Sequence, residues 1–258
     1  MPTVIIDPGH GGMDPGAVYK GRQEKDDNLR LALAVGELLS QNGVDVLYTR
    51  TDDVYDSPYR KAMIANESGA DYLISFHRNA SPIAGNASGI ETLVYADRGV
   101  AAQMARDINR ELAALGFRDI GVIERPGLAV LRRSRMPAVL IETGFIDNDA
   151  DNLKFDEEFE EIAAAISNGI LETLRNEGQL PDSISSASYP PESSNNSQNE
   201  RPPSPLSDNT PASKLYRVQV GAFKNRNYAY ELNSQLTEEG FPAFILMDGD
   251  LYLSLIHI

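Results

Sequence analysis

The sequence predicts an α/β fold in which helices cover both faces of a mostly parallel, twisted sheet, followed by a small α+β module. Three observations support this prediction. Short apolar runs alternate with amphipathic helical stretches over residues 1–177, an order that is typical of parallel sheets. The apolar runs show no polar alternation, which indicates strands that are buried on both faces. A segment rich in proline, serine and asparagine then separates this region from the end of the chain.

The expected elements of the first region follow one another as strand and helix. Strands are predicted at residues 3–7, 44–49, 72–76, 90–95 and 138–141. Helices are predicted at about residues 26–41, 57–68, 99–115 and 156–176. The first helix carries leucines and a valine at helical spacing and ends before Asn42-Gly43, a favourable C-cap. These elements define a first domain at residues 1–177.

The remaining chain divides into a linker and a second domain. The composition of residues 178–213 predicts a flexible linker. It has seven prolines, many serines and asparagines, and almost no large apolar side chain to bury. Residues 214–258 predict a small domain. Its expected elements are strands at 215–221 and 243–247, a helix at 227–239 and a third strand at 251–258. So short a region supports only a small core, and we expect this domain to be truncated.

Composition limits the classes of function that are open to the chain. A net charge of −15 argues against the basic face of a nucleic-acid-binding protein. No apolar run is long enough to cross a bilayer, and no basic run indicates binding to a membrane surface. Neither a nucleic acid nor a membrane is therefore expected as a partner. The absence of cysteine excludes disulfides and thiolate metal ligands. The first strand begins almost at Met1 without the pattern of a signal peptide, so we expect either a mature secreted form or a protein that stays in the cytoplasm of the producing cell until that cell lyses.

Two of the three histidines follow predicted strands directly. His10 comes after the strand at 3–7, inside a glycine-rich turn, and His77 comes after the strand at 72–76. Glu24 precedes the first long helix, and Glu142 closes the strand at 138–141. Open α/β sheets bind ligands at the carboxyl ends of their strands. The sequence therefore predicts that these four side chains converge in one cleft.

Two imidazoles and one carboxylate form a typical ligand set for catalytic zinc, with one coordination position left for water. A second carboxylate is then needed to move the proton of that water. Other interpretations stay open from the residues alone: Glu24 is also the kind of acid favoured at a helix N-terminus, and Glu142 needs some partner if it is buried. Asp7 and Asp14 are expected at turns or beside a ligand, and His257 is expected to have no function.

Four stretches make a resemblance specific, namely 3–14 (TVIIDPGHGGMD), 23–29 (QEKDDNL), 69–80 (GADYLISFHRNA) and 137–148 (PAVLIETGFIDN). In this order they resemble the zinc-dependent N-acetylmuramoyl-L-alanine amidases of the type-3 amidase family, over about residues 3–176. The resemblance implies that His10, Glu24 and His77 bind one Zn²⁺ ion. It implies that Glu142 is the general base and acid.

Three smaller expectations follow from the same resemblance. Arg60, in the matching stretch YRKAMIANE, is expected to support the fold rather than the chemistry. Phe76 and Arg78 stand where the family more often has an aliphatic and a small residue, which leaves a substrate contact by Arg78 open. Residues 118–135 show no pattern of the long helix that blocks the site in amidases that need an activator. The resemblance therefore implies an open cleft.

Residues 215–246 resemble the SPOR domain, a small βαββαβ module that binds peptidoglycan. Together the two resemblances imply a monomeric enzyme that hydrolyses the amide between N-acetylmuramic acid and the L-alanine of the stem peptide. They imply peptidoglycan as the partner and a place at the bacterial cell wall, with lysis of the mother cell at sporulation as one setting. The alternatives are a non-catalytic wall-binding protein, a zinc peptidase or deacetylase of the same polymer, and RNA binding by the last module.

Overall fold

The chain forms two compact units, which a computed structural model describes at residues 1–181, 217–223, 243–248 and 251–257, together with Leu232 and Leu236. The first unit spans residues 1–190 and the second spans residues 191–258. No helix within these described residues is long and apolar enough to cross a membrane. Most of the predicted linker lies outside the described residues.

The first unit contains a six-stranded sheet and a two-stranded hairpin. The strands are β1 (Thr3–Pro8), β2 (Val18–Tyr19), β3 (Arg22–Gln23), β4 (Asp45–Tyr48), β5 (Tyr72–Asn79), β6 (Ile90–Val94), β7 (Asp119–Glu124) and β8 (Ala138–Phe145). The order in the sheet is β4-β1-β5-β8-β6-β7, and β2 pairs with β3 in the hairpin. Only the β6–β8 pair of the large sheet is antiparallel, which confirms the mostly parallel sheet.

Helices cover both faces of this sheet, as predicted. They are α1 (Glu24–Gln41), α2 (Pro58–Ser68), α3 (Gly99–Ala114), α4 (Ala129–Arg133), α5 (Asp149–Glu157) and α6 (Phe159–Asn176). One face packs on α1, α3 and α6 in the larger apolar core, and the other packs on α2 and α4 in a smaller one. Phe76 is fully buried in the larger core, so its aromatic ring serves packing. Burial of this kind is the main stabilising contribution to such a fold.

Several predicted boundaries are wrong. β5 runs to Asn79 and β8 to Phe145, so His77 and Glu142 lie inside strands, because the ladder continues through the pair His77↔Glu142. The helix expected at 156–176 begins at Phe159, and the separate helix α5 precedes it. β7 was not expected: it is a half-exposed edge strand with a glycine inside it, and so lacks an apolar run.

The end of the first unit and the second unit also refine the predictions. Leu180, assigned above to the linker, is buried in the core of the first unit. In the second unit β9 (Arg217–Phe223), β10 (Ala243–Asp248) and β11 (Leu251–His257) form an antiparallel sheet with β11 in the middle. The expected third strand is therefore present. Of the helix expected at 227–239, the structure describes only Leu232 and Leu236, both helical.

Asp7 lies inside β1, within the strand predicted at 3–7, and the alternative of a turn position is wrong. Its buried carboxylate accepts hydrogen bonds from Thr49 Oγ1 (2.6 Å), Ser75 Oγ (2.7 Å) and Lys61 Nζ (2.9 Å). Lys61 also donates to the carbonyl of Pro8. Burial opposes ionisation of Asp7, but the Lys61 charge and these hydrogen bonds outweigh it and lower the pKa of Asp7. The network joins α2 to the strand that leads into the His10 turn.

Candidate metal centre

His10 lies in a tight turn that follows β1. The turn is closed by two backbone hydrogen bonds between Gly11 and Asp14, each 3.0 Å long, and Gly9 N donates to Phe76 O at 2.9 Å. His10 adopts a left-handed conformation with φ 60°, which is uncommon for a residue other than glycine. Its Nδ1 lies 2.9 Å from Asp14 Oδ2, so the imidazole presents Nε2 to the interior of the turn. Asp14 therefore orients His10, one of the two roles predicted for it.

Glu24 is the first residue of α1, and the residue as a whole is only 3% exposed. Its Oε2 accepts from Ala17 N at 2.9 Å, and its Oε1 accepts from Arg78 N at 3.1 Å and from Asn28 Nδ2 at 3.2 Å. These donors fix the carboxylate in one orientation. A role at the helix N-terminus alone does not account for this arrangement, because the carboxylate also faces both imidazoles.

His77 projects from β5 toward the same carboxylate. His77 Nδ1 lies 2.9 Å from Glu24 Oε1, and His10 Nε2 lies 3.2 Å from Glu24 Oε2. The two imidazole rings meet edge to face with centroids 4.9 Å apart. One ligand atom from each of the three residues lies within 4.8 Å of the others. The structure thus brings His10, Glu24 and His77 together as the sequence predicts.

Gly9 makes room for His77, and this leads to a prediction. A Cβ at Gly9 would lie 2.4 Å from both Cε1 and Nε2 of the His77 ring and 2.6 Å from Phe76 O. We expect Gly9→Ala to displace His77 and to weaken zinc affinity by about 10-fold or more, as measured by competition with a chromophoric chelator. The matched control is Gly127→Ala, because a Cβ there meets nothing within 4 Å. Equal zinc affinity in the two variants would contradict the prediction.

The charges of the cluster suit a divalent cation. Burial opposes ionisation of Glu24, yet hydrogen bonds from His10 and His77 outweigh it and lower its pKa strongly. Burial opposes protonation of His10, but the carboxylates of Glu24 and Asp14 raise its pKa to about 9. The Glu24 carboxylate thus retains its charge, and His10 carries a proton at neutral pH that a divalent cation bound at Nε2 would displace. Two nitrogen donors and one oxygen donor fit zinc and leave room for a fourth ligand.

Glu142 lies on β8 directly beside His77 in the strand register. Its Oε2 is buried and has no hydrogen-bond partner among the described residues. Burial raises the pKa of Glu142 to about 7, with a further increase from Glu24 and Glu91 that His77 partly offsets. A carboxyl group with such a pKa both accepts and donates protons near neutral pH.

The structure also locates the other residues discussed above. Arg78 is buried and donates to Asp27 Oδ2 at 2.6 Å and to Asn152 Oδ1 at 2.8 Å, so it joins α1 to α5 and does not face the cleft. The Arg60 side chain is 55% exposed and forms a 3.7 Å ion pair with Glu67 of the same helix, which gives it little part in holding the fold. Residues 118–135 contain β7 and the five-residue helix α4, which confirms that no long helix lies there.

Sequence reasoning missed three residues that support the cluster. Lys61 and Arg50 donate hydrogen bonds to backbone carbonyls just before His10, although nothing in the sequence distinguishes them from ordinary surface cations. Glu91 pairs with Glu142 across the antiparallel strands and accepts from Asn79 Nδ2 at 2.9 Å. The available signal for Glu91 was its position inside an otherwise apolar strand.

Comparison with known proteins identifies the family. The N-acetylmuramoyl-L-alanine amidase family profile matches residues 4–172, and the SPOR domain profile matches residues 212–254. The chain is 34% identical to N-acetylmuramoyl-L-alanine amidase CwlM of Bacillus licheniformis, over 95% of this chain and 85% of that protein. It is 34% identical to the sporulation-specific N-acetylmuramoyl-L-alanine amidase of Bacillus subtilis, over 96% of this chain and 85% of that protein.

Solved structures agree with this assignment. The N-acetylmuramoyl-L-alanine amidase from Clostridium difficile 630 superposes with a TM-score of 0.65 at 37% identity, over 69% of this chain and 98% of that one. The catalytic domain of CwlV from Bacillus (Paenibacillus) polymyxa superposes with a TM-score of 0.63 at 34% identity, over 68% and 99% of the two chains. By its fold, its side-chain cluster and these similarities, the chain belongs to the N-acetylmuramoyl-L-alanine amidase family.

Proposed function

We propose that the first unit is a zinc hydrolase that cleaves the amide between N-acetylmuramic acid and the L-alanine of the stem peptide in peptidoglycan. The observation that carries the proposal is the His10–Glu24–His77 cluster, with its three ligand atoms within 4.8 Å of one another. The carboxyl group of Glu142 lies beside this cluster, its Oε2 has no hydrogen-bond partner among the described residues, and it supplies the proton-transfer group that amide hydrolysis requires.

Each residue of the cluster has a separate role in this proposal. His10, Glu24 and His77 hold the zinc ion, and Asp14 fixes the His10 ring through its 2.9 Å contact to Nδ1. When bound, zinc lowers the pKa of a water ligand to roughly 7 and polarises a carbonyl oxygen. The backbone N–H groups of Ala17 and Arg78 keep the Glu24 carboxylate in place while substrate enters and leaves.

Glu142 transfers the proton. As a carboxylate it accepts a proton from the attacking water, and as an acid it returns that proton to the nitrogen of L-alanine when the amide bond breaks. Burial raises the pKa of the group to about 7, and a cation bound nearby would lower it.

The second unit extends the proposal to substrate binding. The match to the SPOR domain supports a peptidoglycan-binding role for it, and the linker between residues 178 and 213 tethers it to the catalytic domain at residues 1–177. Tethering raises the local concentration of substrate without altering the chemistry. We place the monomeric protein at the cell wall, and its similarity to a sporulation-specific amidase supports lysis of the mother cell as a setting.

Incubation with purified cell walls tests the proposed reaction. We expect release of new L-alanine amino termini, loss of that release after treatment with a strong chelator, and its recovery on addition of zinc. A peptidase would release other amino termini, and a deacetylase would release acetate with free glucosamine or muramic amines. A wall-binding protein without activity would bind the walls and release nothing. Any of these three results would contradict the proposed function.

A further inference from the structure

One buried arginine joins the two chain segments that carry His10 and Glu24. Arg50 follows β4 and is only 4% exposed. Its Nη2 donates to Gly9 O at 2.9 Å, directly before His10, and to Lys25 O at 3.0 Å, directly after Glu24. Its Nε donates to Pro8 O at 3.0 Å. In the described part of the chain, all hydrogen bonds of this guanidinium go to backbone carbonyls.

A second connection runs in parallel from the same segment. The Asp53 carboxylate accepts from Gly12 N at 2.7 Å and from Lys25 Nζ, and Lys25 Nζ also donates to Gly12 O at 3.0 Å. Asp53 thus links the far side of the His10 turn to the first turn of α1. We call residues 50–53 the clasp, because both Arg50 and Asp53 connect the same two segments.

Other hydrogen bonds also join the two segments, among them Glu24 N to Ala17 O (3.0 Å) and Lys25 N to Pro15 O (3.1 Å), but in the described residues only the clasp bonds the backbone on both sides of His10 to the first turn of α1. His10 occupies a left-handed conformation that L-residues leave readily when their neighbours release them. Metal sites tolerate errors of only about 0.2 Å in ligand distance. A guanidinium suits this task, since its planar fork reaches several carbonyls at once in a fixed geometry, whereas an ammonium acts as a single point charge.

We propose that the clasp sets the spacing of His10 and Glu24, and that Arg50 is a positioning residue for metal binding. The proposal rests on the zinc site of the proposed function and adds a residue that touches neither metal nor substrate. It assigns Arg50 and Asp53 to the metal site rather than to the core. Loss of the clasp is therefore expected to change metal binding in a protein that is still folded.

The test compares zinc affinity in Arg50→Lys, Asp53→Ala and the wild type, measured by chelator competition well below the unfolding midpoint of each metal-free protein. We expect zinc affinity to fall by about 10-fold or more in Arg50→Lys and by a smaller factor in Asp53→Ala. The visible spectrum of the Co²⁺-substituted protein is expected to change in Arg50→Lys. The control is Arg110→Lys, because Arg110 on α3 pairs with Asp107 of the same helix and with Glu172 of α6, outside the clasp and the metal cluster.

The outcomes separate this inference from the function on which it rests. Wild-type zinc affinity and an unchanged Co²⁺ spectrum in both clasp variants would overturn the inference, even if their unfolding midpoints fell, and would leave the proposed function intact. If Arg50→Lys does not fold, Asp53→Ala decides by the same measurement, since the Asp53 side chain is 52% exposed. A wild-type protein that binds no zinc would overturn the proposed function and the inference with it.

Discussion

Replacement of Glu142 by glutamine is expected to lower kcat by about 10²–10⁴-fold while zinc affinity and the unfolding midpoint stay close to those of the wild type. Glutamine has nearly the same shape but neither takes up nor releases a proton. The Oε2 atom of Glu142 has no hydrogen-bond partner among the described residues, so the substitution breaks no bond at that atom. The measurement is the initial rate of release of L-alanine amino termini from purified walls, with zinc content determined on the same samples.

The matched control for this prediction is Glu91→Gln. Glu91 lies across the antiparallel β6–β8 pair from Glu142 and contributes to the raised pKa of that group. Its loss lowers the pKa of Glu142 but leaves a proton acceptor in place, so we expect a much smaller decrease in rate. Equal losses in the two variants would show that the effect at residue 142 comes from local charge and not from proton transfer.

Replacement of Lys61 by methionine is expected to lower the free energy of unfolding by about 3–5 kcal/mol. The substitution leaves the Asp7 carboxylate buried without its cationic partner and removes a donor from the Pro8 carbonyl. Breaking one half of a buried ion pair is costly because the remaining charge is desolvated and uncompensated. Urea denaturation of both proteins at neutral pH measures the difference.

The neighbouring residue supplies the control, and pH supplies a second test. Arg60→Met alters an exposed ion pair in the same helix, so a change in the free energy of unfolding within about 0.5 kcal/mol is expected.

Lys61 lowers the pKa of Asp7 below its ordinary value of 3.8, so the stabilising effect of the pair is full above that pH and is lost as pH falls through the folded-state pKa. The difference between wild type and Lys61→Met should therefore narrow in acid. A constant difference at all pH values would contradict the role of charge.

The central sheet and the metal cluster could be predicted because they leave strong local signals. Unbroken apolar runs define β1, β5 and β8, and the carboxyl ends of neighbouring parallel strands meet at one edge. His10 and His77 follow two of these runs, so sequence order alone indicated that they converge. The strand ends themselves were misplaced, because hydrogen bonding between β5 and β8 continues through polar residues that carry no strand signal.

The supporting residues could not be predicted because their partners are backbone atoms far away in sequence. Arg50 bonds the carbonyl of Gly9, and Lys61 bonds that of Pro8, and neither contact follows from residue type or spacing. Arg60 and Lys61 illustrate this limit of sequence-based prediction. They are adjacent cations in α2, and only Lys61 lies on the side of the helix that faces the sheet. The sequence motif pointed to Arg60, while the buried position belongs to Lys61.

The positions of the ligands along the chain have a consequence for synthesis on the ribosome. His10 and Glu24 emerge early, His77 completes the set once β5 pairs with β1, and Glu142 arrives only with β8. A nascent chain that ends between β5 and β8 would contain the three proposed metal ligands but not Glu142. If Glu142 carries the proton as proposed, hydrolysis therefore requires β8, the last of the four parallel strands β4-β1-β5-β8 to be synthesised.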